Sequence, residues 1–329
     1  MSRIAVVGAG AWGTALAQML ASDGREVLLW ALEPQLVEEI NQSHRNSLYL
    51  PSAKLAPAIR ATGDIAEAAE RDIVLLVTPA QHMGRVLATF PRFPRDLVLC
   101  NKGIEAGTGR LMAEVACEAA PESEIAVLSG PTFAHEVAAG LPTAVTLACG
   151  GGEKQWDRIG EEIARPAFRP YYSDDLVGAE IGGAVKNVLA IACGVVEGLG
   201  MGQNARAALI ARGYAEMQRF GEALGARRET LSGLCGLGDL VLTCSSTSSR
   251  NFSLGKALGE GQSPATLMAN RTTVAEGAHT APVLVEKARS LGVAMPICEA
   301  VDDLLGGAPV EGVVSALLAR PLKAEGPDV

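Results

Sequence analysis

Aromatic side chains are scarce, at 4% of the 329 residues, so a core must be built from aliphatic groups, and abundant Ala and Gly suit close helix packing. Basic blocks are also missing. The formal net charge is −9, and an acidic chain without Lys/Arg runs matches neither nucleic acid nor an anionic membrane surface. Any phosphate recognition must come from a few placed groups, such as helix N-termini and single Arg or Lys residues. Paired cysteines are absent. The seven cysteines are odd in number and scattered without a C-x-x-C, which argues against a disulfide framework or zinc site and for a reducing, cytoplasmic location. The four histidines are dispersed with no H-E-x-x-H, so no metal is expected. Long apolar runs are lacking too. The longest, 188–196, lies between Lys186 and Glu197 and is too short to span a bilayer, so it reads as a core helix and no stable membrane insertion is expected. A strand begins at Arg3, leaving no room for a cleavable leader.

What is present is an ordinary globular balance, 48% hydrophobic and 20% charged, over a length that exceeds one growing core, so two domains are the default. In the first half, β-branched runs at 4–7, 26–29, 72–77, 96–100, 125–128 and 144–148 alternate with helical patterns near 12–22, 34–41, 65–70, 81–90 and 109–119. That alternation predicts parallel βαβ units in a doubly wound sheet. After about Asp174 the strand signal fades and helical runs follow at 176–197, 205–224, 253–258, 281–291, 297–305 and 311–319. The expected fold is thus α/β, a Rossmann-type domain over 1–177 followed by an all-helical domain over 178–329, with the boundary near 175–180.

The strongest local signal is Gly8-x-Gly10-x-x-Gly13, which follows a strand and opens a helix. Gly8 permits the tight turn, Gly10 lets a pyrophosphate approach the backbone, and Gly13 lets the helix pack on the sheet. This predicts a bound dinucleotide, NAD or NADP. About twenty residues on stands Glu33, followed by Pro34. It reads equally as a ligand of the adenosine ribose or as a carboxylate favoured in a first helical turn. Lys102 follows a strand beside Gly103, where ligands of open α/β sheets sit, or else is a solvated lysine. The 129–134 segment holds Gly130, Pro131 and Thr132, a turn that could close on a substrate. Lys186 stands inside an apolar helix beside Gly182 and Gly183. It either snorkels outward or is desolvated into acid/base range. Near the hydroxyl-rich 243–251 segment, Arg250 offers a fork matched to phosphate, or merely decorates a loop.

Taken in order, VVGAGAWGTALA (6–17), NKGIEAGTGRL (101–111), SGPTFAHEVAAGLPTA (129–144), GGAVKNVLAIACG (182–194), ARAALIARGYAEM (205–217), GLGDLVLTC (236–244), SSRN (248–251) and VAEG (274–277) resemble the NAD(P)-dependent sn-glycerol-3-phosphate dehydrogenase family. The resemblance covers most of the chain. It implies an enzyme interconverting dihydroxyacetone phosphate and sn-glycerol 3-phosphate by hydride transfer, supplying glycerophospholipid synthesis. It implies that Lys186 is the catalytic proton donor/acceptor and Asp239 its acidic partner, both also touching substrate. It places Arg250 and Asn251 on the substrate phosphate, with Ser249 beside them, Gly130 and Thr132 in a substrate loop, and Lys102 on both ligands. It assigns cofactor contacts to Ala11, Trp12, Tyr49, Ala134, Arg250, Val274 and Glu276, beside the glycines and the Leu32-Glu33 position. Two departures stand out. The family usually has a hydroxyl where this chain has Ala11, and often a basic residue where Leu32 stands. The expected partner is a small phosphate substrate, with a homodimer left open.

Two other readings compete. A β-hydroxyacid dehydrogenase also pairs a Rossmann domain with a helical domain carrying a Gly-Gly-x-x-Lys-Asn segment, but acts on carboxylates, whereas the 249–251 segment favours phosphate. A dinucleotide-binding redox sensor would need no Lys186–Asp239 pair and would carry a partner-binding appendage.

Overall fold

The computed structural model describes residues 2–269 and 275–322. The chain forms two compact units, one of Met1–Asn101 and Leu111–Leu176, the other of Lys102–Arg110 and Val177–Val329. The loop that starts at Lys102 therefore belongs to the second unit, although it follows a strand of the first.

The first unit holds one sheet of β1 (Ile4–Val7), β2 (Val27–Trp30), β3 (Ile59–Thr62), β4 (Ile73–Leu76), β5 (Asp96–Leu99), β6 (Glu124–Ser129), β7 (Thr143–Cys149) and β8 (Phe168–Ser173). Interleaved are α1 (Ala11–Leu20), α2 (Pro34–Ser43), α3 (Ile65–Ala69), α4 (Ala80–Leu87), α5 (Met112–Ala119), α6 (Ala134–Ala138) and α7 (Gly152–Ile163). The strand order is β3-β2-β1-β4-β5-β6-β7-β8, so the winding reverses beside β1, where such sheets bind ligands. Every residue of β1, β4 and β5 is buried, the pattern of strands covered by helices on both faces. All pairings are parallel except β6 with β7.

That antiparallel pair departs from the expected run of parallel units. The connection from β6 to β7 runs over 130–142, and its one helix, the five-residue α6, covers about 7.5 Å against roughly 23 Å for a strand the length of β7. The chain does not travel back along the sheet before β7 begins. Two strands escaped the sequence pattern: β3 is interrupted by the exposed Arg60, and β8 contains Pro170 with Tyr171 and Tyr172 exposed. Proline and exposed alternation mark an edge strand.

The second unit is helical: α8 (Leu176–Gly198), α9 (Gly202–Ala223), α10 (Arg228–Ser232), α11 (Asp239–Thr243), α12 (Arg250–Gly259), α13 (Pro264–Ala269), α14 (Glu276–Ser290), α15 (Pro296–Leu305) and α16 (Val310–Leu318). α8 is buried continuously from Gly178 to Val195, as expected for a largely apolar helix, and Glu180, Lys186 and Asn187 are buried within it. By length and composition it could cross a membrane, but 94% of its apolar window is buried inside the protein. Counting the apolar run only from 188 understated it, because Lys186 lies inside the helix and is buried with the rest.

Candidate functional site

In the first unit, β1 ends at Val7 and the chain turns at Gly8 with φ +117°, a region open to glycine and rarely to other residues. A Cβ on Gly13 would lie 1.8 Å from the Gly8 carbonyl oxygen, so α1 rests directly on the turn. A Cβ on Gly10 would meet nothing within 4 Å. The α1 N-terminus has no acidic residue in its first turn, and its leading N–H groups lack intrahelical acceptors. Open backbone, unpaired donors and a positive dipole end fit a pyrophosphate.

Ala11 and Trp12 open α1, and Ala134 and Trp12 both pack against the core cluster of this unit. Glu33 is the N-cap of α2, yet its side chain makes no capping bond. Instead it accepts a hydrogen bond from the Tyr49 hydroxyl at 2.9 Å. Burial and then the adjoining carboxylate raise the Tyr49 phenol above its usual range. Leu32 is 74% exposed and supplies no charge. Asn46, which no sequence signal marked, is fully buried and donates to Ala9 O and Thr14 Oγ1 beneath the glycine turn. Gly130 and Thr132 follow β6. A Cβ on Gly130 would lie 2.9 Å from Val145 Cα, and Thr132 Oγ1 donates to Gly130 O at 3.3 Å. Strand packing alone thus requires that glycine.

In the second unit, two lysines converge on one carboxylate. Lys186 Nζ donates to Asp239 Oδ1 at 2.5 Å and to Thr243 Oγ1 at 3.0 Å, and Lys102 Nζ donates to Asp239 Oδ2 at 2.8 Å. Asp239 is wholly buried and Lys186 nearly so. The local fold explains the meeting. Asp239 starts α11 directly after a π-helical turn, Leu234–Gly238, and such turns re-aim side chains at functional sites. Thr243 stands one helical turn further on the same face. A Cβ on Gly182 would lie 2.3 Å from the Cys235 carbonyl oxygen, so α8 meets the π turn directly, and Lys186 lies one turn beyond Gly182 on that face.

Burial lowers Lys186 to about 7, Asp239 opposes the shift, and the positive charge of Lys102 adds to it. Lys102 goes the other way: burial pulls it down, but attraction to Asp239 prevails and raises it. One carboxylate thus holds one ammonium firmly and leaves the second ready to lose its proton. Glu276, the first residue of α14, is raised by burial against the pull of Arg250, Lys102 and Lys186.

Ser249, Arg250 and Asn251 form the start of α12. Ser249 Oγ accepts from Phe252 N at 3.2 Å, which makes it the helix cap. Asn251 is buried: Nδ2 donates to Asn187 Oδ1 at 3.0 Å, and Oδ1 accepts from Gly277 N at 3.0 Å. It therefore braces α8, α12 and α14, and among the described residues its second amide hydrogen has no acceptor. Asn187 was not singled out in the sequence, although it adjoins Lys186; only the fold shows its amide meeting Asn251. Arg250 is the exposed member of the trio. Val274 lies outside the described residues.

Comparison with known proteins finds similarity over nearly the whole chain. Residues 3–155 match the NAD-dependent glycerol-3-phosphate dehydrogenase N-terminus and residues 175–315 the corresponding C-terminus. Proteins named glycerol-3-phosphate dehydrogenase [NAD(P)+] from Erythrobacter litoralis and Novosphingobium aromaticivorans are each 72% identical, over 98% of both chains. A crystal structure of glycerol-3-phosphate dehydrogenase from Coxiella burnetii superposes with TM-score 0.91 at 38% identity, covering 97% of this chain and 99% of that one.

Proposed function

The chain belongs to the NAD-dependent glycerol-3-phosphate dehydrogenase family, and from that premise we propose how its residues divide the work. The enzyme is an NAD(P)-dependent oxidoreductase that interconverts dihydroxyacetone phosphate and sn-glycerol 3-phosphate. The first unit binds the dinucleotide by its glycine turn, and the second carries the acid/base and phosphate-binding groups. The enzyme works in the cytoplasm and feeds glycerophospholipid synthesis.

The observation that carries the reading is the Lys186–Asp239–Lys102 cluster. When bound, the nicotinamide supplies or takes the hydride. As the substrate carbonyl is reduced, its oxygen gains negative charge, and Lys186 stabilises that charge and delivers the proton. In the reverse direction the neutral amine accepts it. Asp239 orients Lys186 and keeps Lys102 charged, and Lys102 with Arg250 makes the pocket attractive to a phosphate dianion. Asn187 and Asn251 hold α8 against α12, so the proton-transfer and phosphate groups keep a fixed separation.

The direct test is oxidation of NADH or NADPH by purified protein given dihydroxyacetone phosphate, without added metal. Equal turnover with unphosphorylated dihydroxyacetone or a 2-keto acid would sink the assignment. Arg250→Lys keeps the charge but loses the bidentate fork. Hydrogen bonds to charged groups contribute roughly 1.5–3 kcal/mol, so kcat/KM for dihydroxyacetone phosphate should fall by about 10- to 100-fold. An unchanged kcat/KM would move the phosphate to another cation, Lys102 being the first to substitute.

A further inference from the structure

The stretch after α2 joins two parts of the dinucleotide site that the sequence keeps apart. His44 closes α2 in the left-handed region at φ 52°, uncommon for a residue with a side chain. The chain reverses there and Asn46 turns inward to complete burial. Both ends of its amide are used. Nδ2 donates to Ala9 O at 2.9 Å and to Thr14 Oγ1 at 2.7 Å, while Oδ1 accepts from Tyr49 N at 3.0 Å. Thr14 Oγ1 donates in turn to Ala9 O at 3.1 Å. Ala9 lies between Gly8 and Gly10, so two donors from beneath fix the carbonyl in the middle of the glycine turn.

From Tyr49 the connection runs on to the end of β2. The hydroxyl holds Glu33 Oε1, and Glu33 Oε2 makes no hydrogen bond among the described residues. A carboxylate is acceptor-only. With one oxygen pinned by a phenol, the other is left able to accept a ribose hydroxyl and would repel a phosphate in the same place. The exposed Leu32 beside it offers no cation to reverse that preference.

We propose that Asn46 is a positioning residue of the dinucleotide site, and that the Tyr49–Glu33 pair it supports selects a free ribose 2′-hydroxyl over a 2′-phosphate. Asn46 acts through the backbone of the glycine turn and through Tyr49. The proposal rests on the dinucleotide reading of the first unit, which binding of ADP-ribose to the unaltered protein tests separately.

The experiment is calorimetric titration of the full chain with NADH, NADPH and ADP-ribose, joined to steady-state kinetics. Tyr49→Phe keeps the ring and removes the hydroxyl that holds Glu33. A net hydrogen bond is worth roughly 0.5–1.5 kcal/mol, so the NADH Kd should rise about 2- to 10-fold while NADPH binds no worse, shifting the ratio toward NADPH. Asn46→Ala should weaken all three ligands together, by about tenfold or more, since it frees both ends of the device. KM for NADH should rise more than kcat falls, a split that simple loss of stability would not produce. If Asn46→Ala does not fold, Asn46→Ser keeps a small polar group in the same space and gives the same readout. An unmoved NADH:NADPH ratio in Tyr49→Phe overturns the selection role. Wild-type affinities in a folded Asn46 variant overturn the positioning role. Failure of the unaltered protein to bind any of the three ligands overturns both, and the dinucleotide reading with them.

Discussion

Lys186→Ala is expected to lower kcat by about two to four orders of magnitude, the usual scale for a general acid–base group. The NADH Kd, measured by direct titration, should stay near its wild-type value, because the Rossmann turn belongs to the other unit. Lys186→Arg separates proton transfer from charge. Arginine keeps the positive charge but holds its proton throughout the accessible range, so it should restore little of the rate. The pH profile of the unaltered enzyme carries the same signature. With Lys186 lowered to about 7 by burial, the protonated donor needed for ketone reduction is lost as pH rises through that value. Reduction should therefore slow above about pH 7, and alcohol oxidation, which needs the neutral amine, should speed up over the same interval. A reduction rate flat through that interval, or near-normal turnover in Lys186→Ala, would remove Lys186 from the chemistry.

Asp239→Ala should cost both stability and activity. The wild-type carboxylate is fully buried and shared by two ammonium groups. Removing one partner of a buried ion pair typically destabilises by about 3–5 kcal/mol, because the remaining charge is left uncompensated. Here two charges lose their partner, so the lower of the two lysine pKa values should fall further as well. Urea unfolding at neutral pH should show a clearly reduced midpoint with an unchanged slope. The added substitution Lys102→Met, which removes one of the stranded charges, should recover part of the loss, a non-additivity diagnostic of direct coupling. A loss within about 1 kcal/mol would mean that water reaches the cluster and screens it. Activity should remain low even in the double variant, since Lys186 has lost the group that orients it.

How far these features were legible in the sequence depends on the distance over which each is encoded. The strands β1, β4 and β5 and the glycine turn were readable, because hydrophobic period and steric permission belong to contiguous residues. A Cβ on Gly13 has no room against Gly8 whatever the rest of the chain does. The strands β3 and β8 were not readable. Each has a weak local pattern and becomes a strand only because a neighbour offers a free edge. Lys186 could be singled out as a cation inside an apolar helix, but whether it would snorkel or stay buried was open. The answer lay 53 residues away at Asp239, while Lys102 reaches the same carboxylate across 137.

The same division separates Glu33 from Asn46. The position of Glu33 after β2 marked it as a ribose ligand or a helix cap, and local chemistry could not choose. Tertiary structure gives its carboxylate to Tyr49 rather than to the helix. Asn46 left no trace at all, since an asparagine in a polar stretch is ordinarily a solvated turn residue. Its burial under the glycine turn depends on the path of the chain after α2, and on an acceptor at Ala9 that lies 37 residues upstream. By itself the sequence determined the elements that steric fit and hydrophobic period dictate. The folded chain decided which charges lose water together, because desolvation depends on every element packed around a group and no local pattern records it.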